Sequence, residues 1–84
     1  MFEQALEDMT AIVYIDDKGA VACSENGLSL QRGPRLFTYQ EAVDIITRGE
    51  ALWASAPKYQ QKRFRATLNS IRNAFGPEFW ERHP

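Results

Sequence analysis

The sequence predicts an α+β protein: a short N-terminal helix and a three-stranded antiparallel β-meander, then two to three C-terminal helices packed on one face of the sheet. Three observations support this fold. Strand-forming residues are concentrated before residue 33, apolar residues recur with helical spacing after residue 38, and turn residues separate these segments. The 84 residues are expected to form one domain, 1–84, because a chain of this length holds a single core.

The N-terminal helix is predicted from the spacing of four apolar residues. Phe2, Ala5, Leu6 and Met9 follow one another at i, i+3, i+4 and i+7, which places them on one helical face. So short a helix is not stable alone in water, and we expect packing to hold it in place.

The predicted meander occupies the next segment of the chain. Residues 12–15 are strong strand formers that are apolar on both faces, so we expect them to form the most buried strand. The turn residues at 16–19 then predict a hairpin, with residues 20–24 as the return strand. Alternation of apolar and polar residues predicts a third strand at 28–32, and the Gly-Pro pair that follows is expected to end the sheet.

Local signals mark the helices of the C-terminal half. Thr38 and Glu41 have the spacing of a capping box at a helix N-terminus. Gly49 either ends this helix or is tolerated within it at a cost of about 1 kcal/mol. Pro57 suits the first turn of a last long helix, and the Gly-Pro pair at 76–77 is a strong stop signal.

Charge is divided unevenly along the chain. Residues 1–31 carry a net charge of −5 and residues 32–84 a net charge of +4, although the whole chain carries only −1. Half of the ten Lys and Arg residues lie in the segment 58–72, which contains no acidic residue. Such asymmetry indicates either attraction between the two halves of the fold or an interaction surface.

With helical spacing, residues of the segment 58–75 fall on two neighbouring stripes of one helix. An apolar stripe is expected to face the core and contains Phe64, Leu68, Ile71 and Phe75. The basic stripe beside it contains Lys58, Lys62, Arg65, Asn69 and Arg72. Three sources of counter-charge remain open: the acidic residues Glu3, Glu7 or Asp8 of the same chain, an acidic protein, or nucleic-acid phosphates.

The C-terminal aromatic residues allow two interpretations. Trp80 with Arg82 suits an interface anchor, because Trp and Arg are enriched in binding hot spots. Alternatively, Phe79 and Trp80 both cover the core of a small domain. Trp53 lies on the buried stripe of its own helix and is assigned to the core.

The sequence offers no recognisable catalytic, metal or cofactor motif. Cys23 and His83 are the only residues of their types and do not have zinc-ligand spacing, so we expect no metal and no cofactor. Asp16 and Asp17 lack the further ligands of a calcium loop and are interpreted as turn residues. We therefore expect a protein that is not an enzyme, with Cys23 packed in a strand.

The predicted location is cytoplasmic. No apolar run reaches membrane-spanning length, and the first ten residues are acidic where a signal peptide would be basic. We therefore expect no membrane partner.

These observations favour a small non-enzymatic regulatory or inhibitory protein, of the kind encoded by phages or mobile elements, that binds an acidic surface of another protein. The first alternative is nucleic-acid binding by the same basic helix, although a helix-turn-helix is excluded because Pro57 would fall inside its recognition helix. The second alternative is a homo-oligomeric structural protein, such as a homodimer that joins acidic to basic halves. The predicted partner-binding residues are Lys58, Lys62, Arg65, Asn69, Arg72, Trp80 and Arg82.

Overall fold

A computed structural model describes residues 5–25 and 27–84 and confirms the α+β class. A 3₁₀ turn precedes a two-stranded sheet, which is followed by the helices of the C-terminal half. In chain order the elements are the 3₁₀ turn Leu6–Asp8, β1 Thr10–Ile15, α1 Asp17–Glu25, β2 Gly33–Thr38, α2 Tyr39–Trp53, α3 Lys58–Phe75 and α4 Pro77–Arg82.

The sheet pairs β1 with β2 in antiparallel register, and within residues 5–25 and 27–84 it has these two strands. Thr10 lies opposite Thr38 and Ile15 lies opposite Gly33, so residues 16–32 connect the strands and carry α1. One face of this sheet is buried under the helices, and its most buried side chains are Val13, Ile15 and Phe37; Ile12 and Tyr14 on the other face of β1 are exposed.

The predicted return strand at residues 20–24 is wrong, because these residues belong to α1. The side-chain Oδ1 of Asp16 accepts a hydrogen bond of 2.7 Å from the Gly19 N–H, which caps the first turn of a helix. Ala22 and Cys23 are completely buried. The residues that suggested a hairpin turn therefore start a helix, because Asp16 acts as a helix cap.

The predicted third strand at 28–32 is also wrong, although its alternation correctly separates buried from exposed residues. Leu28 and Leu30 are buried whereas Ser29 is exposed, but the segment forms no ladder. The second strand is instead β2, at the position where the Gly-Pro pair was expected to end the sheet. Pro34 is tolerated because it lies near the start of a strand that pairs with a single strand in the described part of the chain.

The predicted N-terminal helix is replaced, in its described part, by a single 3₁₀ turn. Residues 1–4 of that prediction lie outside the described residues. Leu6 is buried as expected, but Met9 is extended, with φ −77° and ψ 150°. The Met9 carbonyl accepts a hydrogen bond of 3.2 Å from the Tyr39 N–H, so this segment already runs beside the end of β2.

The predicted start of α2 is confirmed, and the helix continues through Gly49. The Thr38 hydroxyl accepts from the Glu41 N–H at 3.2 Å, while the Glu41 carboxylate accepts from the Thr38 N–H at 3.3 Å. A Cβ at Gly49 would lie 3.0 Å from side-chain carbons of both Leu68 and Phe64. Glycine is therefore needed there for close packing of α2 on α3, and it does not end the helix.

The α3 helix is the central element and has the predicted bounds. Pro57 precedes its first turn, and the chain leaves the helix at Gly76 before Pro77 begins α4. Its apolar stripe is buried as expected, with Phe64, Leu68 and Ile71 at most 1% exposed. Among the described helices, none is both long and apolar enough to cross a membrane.

The contact between Gly19 of α1 and Thr67 of α3 gives a testable constraint. A Cβ at residue 19 would lie 2.5 Å from the Thr67 hydroxyl oxygen. We expect Gly19→Ala to lower the free energy of unfolding by about 1–3 kcal/mol in urea titrations, despite a helix-propensity gain of about 1 kcal/mol. In a Thr67→Ala background the cost should be smaller; equal costs in both backgrounds would contradict the contact.

Candidate binding cleft

A cleft of about 500 Å³ lies where the end of β1 and the start of α1 meet the N-terminal half of α3. The capped turn at Asp16 carries Lys18 and Gly19 to this point, and Gly19 allows α1 to approach Thr67 closely. The lining residues are Tyr14, Ile15, Asp16, Lys18, Gly19, Lys58, Tyr59, Lys62, Arg63, Ala66, Thr67 and Ser70.

Four of the lining residues are cations without a carboxylate partner in the described part of the chain. They are Lys18, Lys58, Lys62 and Arg63. The one carboxylate in the lining, Asp16, already accepts the Gly19 N–H. Because like charges gathered in one cleft repel each other, this group favours a negatively charged occupant.

The cations outside the cleft are held in a different way. Five arginines each form an ion pair with a carboxylate of the same chain: Arg32, Arg35, Arg48, Arg72 and Arg82. The remaining cation, Arg65, lies over the Trp53 ring with its guanidinium carbon 4.6 Å from the ring centroid. Of the ten Lys and Arg residues, the four in the cleft are therefore those without an ion pair or an aromatic ring among residues 5–25 and 27–84.

Two exposed tyrosines add apolar surface and hydroxyl groups to the cleft. Tyr14 on β1 is 63% exposed, and Tyr59 on α3 is 66% exposed. Tyrosine side chains that lie beside cations provide contact area at a low entropic cost and are enriched in interfaces. The cleft therefore combines positive charge with aromatic surface.

Arg72, a predicted partner-binding residue, is instead buried and bonded within the chain. Its side chain is 7% exposed and forms an ion pair with Glu50. Its Nε donates to the His83 carbonyl at 2.9 Å and one terminal nitrogen donates to Asn69 Oδ1 at 3.2 Å. This guanidinium therefore links α3, α2 and the segment after α4, and Asn69 orients it.

Trp80 and Arg82 also make contacts within the chain, Trp80 with α3 and Arg82 with carboxylates of the 3₁₀ turn and of α4. The Trp80 indole donates to Asn73 Oδ1 at 2.7 Å, and the Arg72 guanidinium lies 5.2 Å from its ring centroid. Arg82 forms ion pairs with Glu7 and Glu78. The backbone amide of Glu7 and then the Arg82 side chain lower the pKa of the Glu7 carboxyl.

The predicted partner-binding residues therefore divide into two groups. Lys58 and Lys62 line the cleft, whereas the other four make contacts within the chain. Asn69, Arg72 and Trp80 belong to the contact between α3 and the C-terminal segment, and Arg82 pairs with Glu7 and Glu78. Arg65 lies between these groups, on Trp53. The structure does not bring the seven residues together as one surface.

Sequence reasoning missed the contributions of Lys18, Tyr14 and Arg63 to the cleft. The sequence pattern predicts Lys18 in a hairpin turn and a basic stripe that does not include Arg63. Arg63 lies one helical turn before Thr67 on the same face of α3, and α1 packs beside this face at Gly19. The interpretation of Asp16 as a helix cap predicts that Lys18 lies in α1, the helix that packs on α3.

Cys23 is completely buried, and burial raises the pKa of its thiol to about 11. Its thiol is therefore protonated at neutral pH, and its side chain packs in the core of the molecule, on a helix rather than in the predicted strand. Within the described residues, no group of three or more His, Cys, Asp or Glu side chains has an arrangement that could hold a metal ion.

Substitution by methionine should distinguish the two groups of cations. We expect Arg72→Met to lower the free energy of unfolding by about 2 kcal/mol or more, because Glu50 and the His83 carbonyl lose their donor. The matched change Lys62→Met should alter it by no more than about 0.5 kcal/mol, since Lys62 is exposed and has no ion pair with a described carboxylate. Urea unfolding of both variants checks this; similar losses in the two variants would contradict it.

The raised pKa of Cys23 predicts a loss of stability in alkaline solution. A thiol in the unfolded chain titrates near pH 9, so between pH 9 and 11 the unfolded chain has lost a proton that the folded chain retains. The free energy of unfolding should be unaffected below pH 9 and fall by about 2–3 kcal/mol across this window. Urea titrations at several pH values should show a smaller fall in Cys23→Ala, which lacks the thiol; equal falls in both proteins would refute the assignment.

The chain matches no family model, no curated protein and no solved structure in comparisons with known proteins. The cleft is the feature from which a function can be proposed, because it has four cations without a described carboxylate partner and two exposed tyrosines.

Proposed function

We propose that this protein is a small regulatory or inhibitory protein, without catalytic activity of its own, that binds an acidic part of another protein in the cleft. The observation that carries the proposal is the division of the cations. Those elsewhere in the described chain have carboxylate or aromatic partners, whereas Lys18, Lys58, Lys62 and Arg63 converge on one cleft without a carboxylate partner.

The chemistry of the cleft suits carboxylates on a protein surface. Lysine ammonium groups and a guanidinium donate charge-assisted hydrogen bonds to carboxylate oxygens. The tyrosines at residues 14 and 59 provide flat, amphipathic contact area next to these donors. The cations should also accelerate association, because complementary charge steers the encounter of two proteins.

Single-stranded nucleic acid is the second candidate, and the two exposed tyrosines favour it. Bases stack on aromatic rings while cations neutralise the phosphates, and Tyr14 and Tyr59 lie among the cations as such a site requires. The whole chain, however, has a pI of about 5.7, which is unlike a dedicated nucleic-acid binder. The acidic protein partner is therefore the primary proposal.

Charge reversal at Lys62 tests the proposed site. A fluorescent oligoglutamate peptide should bind the unmodified protein at low salt, and Lys62→Glu should weaken this binding about ten-fold through like-charge repulsion. Arg48→Glu is the matched control: Arg48 is also exposed and helical, but it pairs with Asp44 outside the cleft. Fluorescence anisotropy at increasing salt gives both affinities.

Three outcomes of this measurement would count against the proposal. Equal weakening by Lys62→Glu and Arg48→Glu would show a nonspecific effect of net charge. An absence of oligoglutamate binding at low salt would contradict the proposal that the cleft binds carboxylates. Tighter binding of oligothymidylate than of oligoglutamate, lost in Lys62→Glu, would identify the cleft as a nucleic-acid site instead.

A further inference from the structure

The outer face of the sheet carries an apolar ladder that is exposed in the described part of the chain. The ladder consists of Ile12 directly opposite Leu36 and Tyr14 directly opposite Pro34. Ile12 is 71% exposed and Leu36 is 58% exposed, whereas the helices bury the other face of the same strands. An antiparallel sheet with one face in water normally presents polar residues there, so this face has the composition of a covered surface.

The ladder is continuous with the binding cleft through Tyr14. This residue belongs to the ladder by its position in β1, and it also lines the cleft beside the unpaired cations. The apolar ladder and the positively charged cleft therefore form one continuous surface, which a single partner can contact.

The charges of this chain argue against a second copy as the occupant. Most of its described carboxylates are already engaged within the chain: six of them form ion pairs, and Asp16 caps α1. A second copy has no described cluster of free carboxylates that could fill the cleft while its ladder packs on this one. Charge complementarity therefore requires a different molecule.

We infer that the partner, given the binding function proposed above, is a protein segment with two parts: an apolar part that covers the ladder at Ile12 and Leu36, and an adjoining acidic part that enters the cleft. Apolar contact with the ladder adds affinity in proportion to the area buried. The acidic part supplies the counter-charge and fixes the orientation of the segment.

Labelled peptides with two blocks test this inference. The bipartite peptide joins a block of alternating Leu and Thr to a block of Glu, in both orders; the acidic peptide has Ser in place of each Leu. We expect the better order of the bipartite peptide to bind at least ten-fold more tightly than the acidic peptide. Ile12→Thr with Leu36→Thr should abolish this difference without changing the affinity for the acidic peptide.

Threonine is chosen because it is a strong strand former, so the double variant should retain the fold. The matched control is Val21→Thr, which changes an exposed apolar residue on α1 outside both the ladder and the cleft. This variant should keep the ten-fold difference. Circular dichroism and urea unfolding verify that all variants are folded before affinities are compared.

The results separate failure of this inference from failure of the proposed function. Equal binding of the two peptides, weakened by Lys62→Glu, would overturn the bipartite partner and leave the acidic cleft intact. Binding of neither peptide would overturn both. A dimer in sedimentation that becomes a monomer in the Ile12→Thr, Leu36→Thr variant would show that a second copy covers the ladder, and would overturn the inference.

Discussion

Burial of the apolar stripe of α3 is the interaction on which the rest of the structure depends. Phe64, Leu68 and Ile71 are almost completely inaccessible to solvent, and α1, α2, β1 and α4 all contact this one helix. Two glycines from other elements permit this arrangement, because a side chain at Gly19 or Gly49 would meet α3 directly. The same helix also lines the cleft, so core and cleft are built from different residues that alternate along α3.

The position of each cation around α3 decides its role. At about 100° per residue, Arg72 lies next to the apolar stripe, whereas Lys58 and Lys62 lie on the far side, towards Arg63. A cation beside the core must be neutralised by the fold, and Glu50 with the His83 carbonyl does this for Arg72. The cations on the far side have no such constraint. The excess of positive charge in this half of the sequence thus contains cations that are neutralised within the described chain, such as Arg72, and cations in the cleft that are not.

Structural features that neighbouring residues determine were predictable from the sequence, whereas features that depend on contacts with distant residues were not. The capping box at Thr38 and the end of α3 at Gly76 were correctly identified, because neighbouring residues determine both. Residues 17–25 have a low intrinsic helix propensity, because they include Gly, Val, Cys, Ser and Asp. Their helix therefore depends on the Asp16 cap and on packing against Thr67. The same reason explains the partial prediction of the cleft: Lys58 and Lys62 share a helix, but Lys18 reaches them only through tertiary structure.

The two-stranded sheet has a consequence for the colloidal behaviour of the protein. Within residues 5–25 and 27–84 each strand has one neighbour, so β1 and β2 each leave a row of backbone hydrogen-bonding groups outside their mutual ladder. Such edges are templates for intermolecular pairing, particularly when apolar side chains such as Ile12 and Leu36 project from the same strands. Pro34, which lacks an N–H, interrupts this template in β2, and β1 has no equivalent interruption. Protection against aggregation is therefore asymmetric, and β1 is the more vulnerable strand whenever the outer face is uncovered.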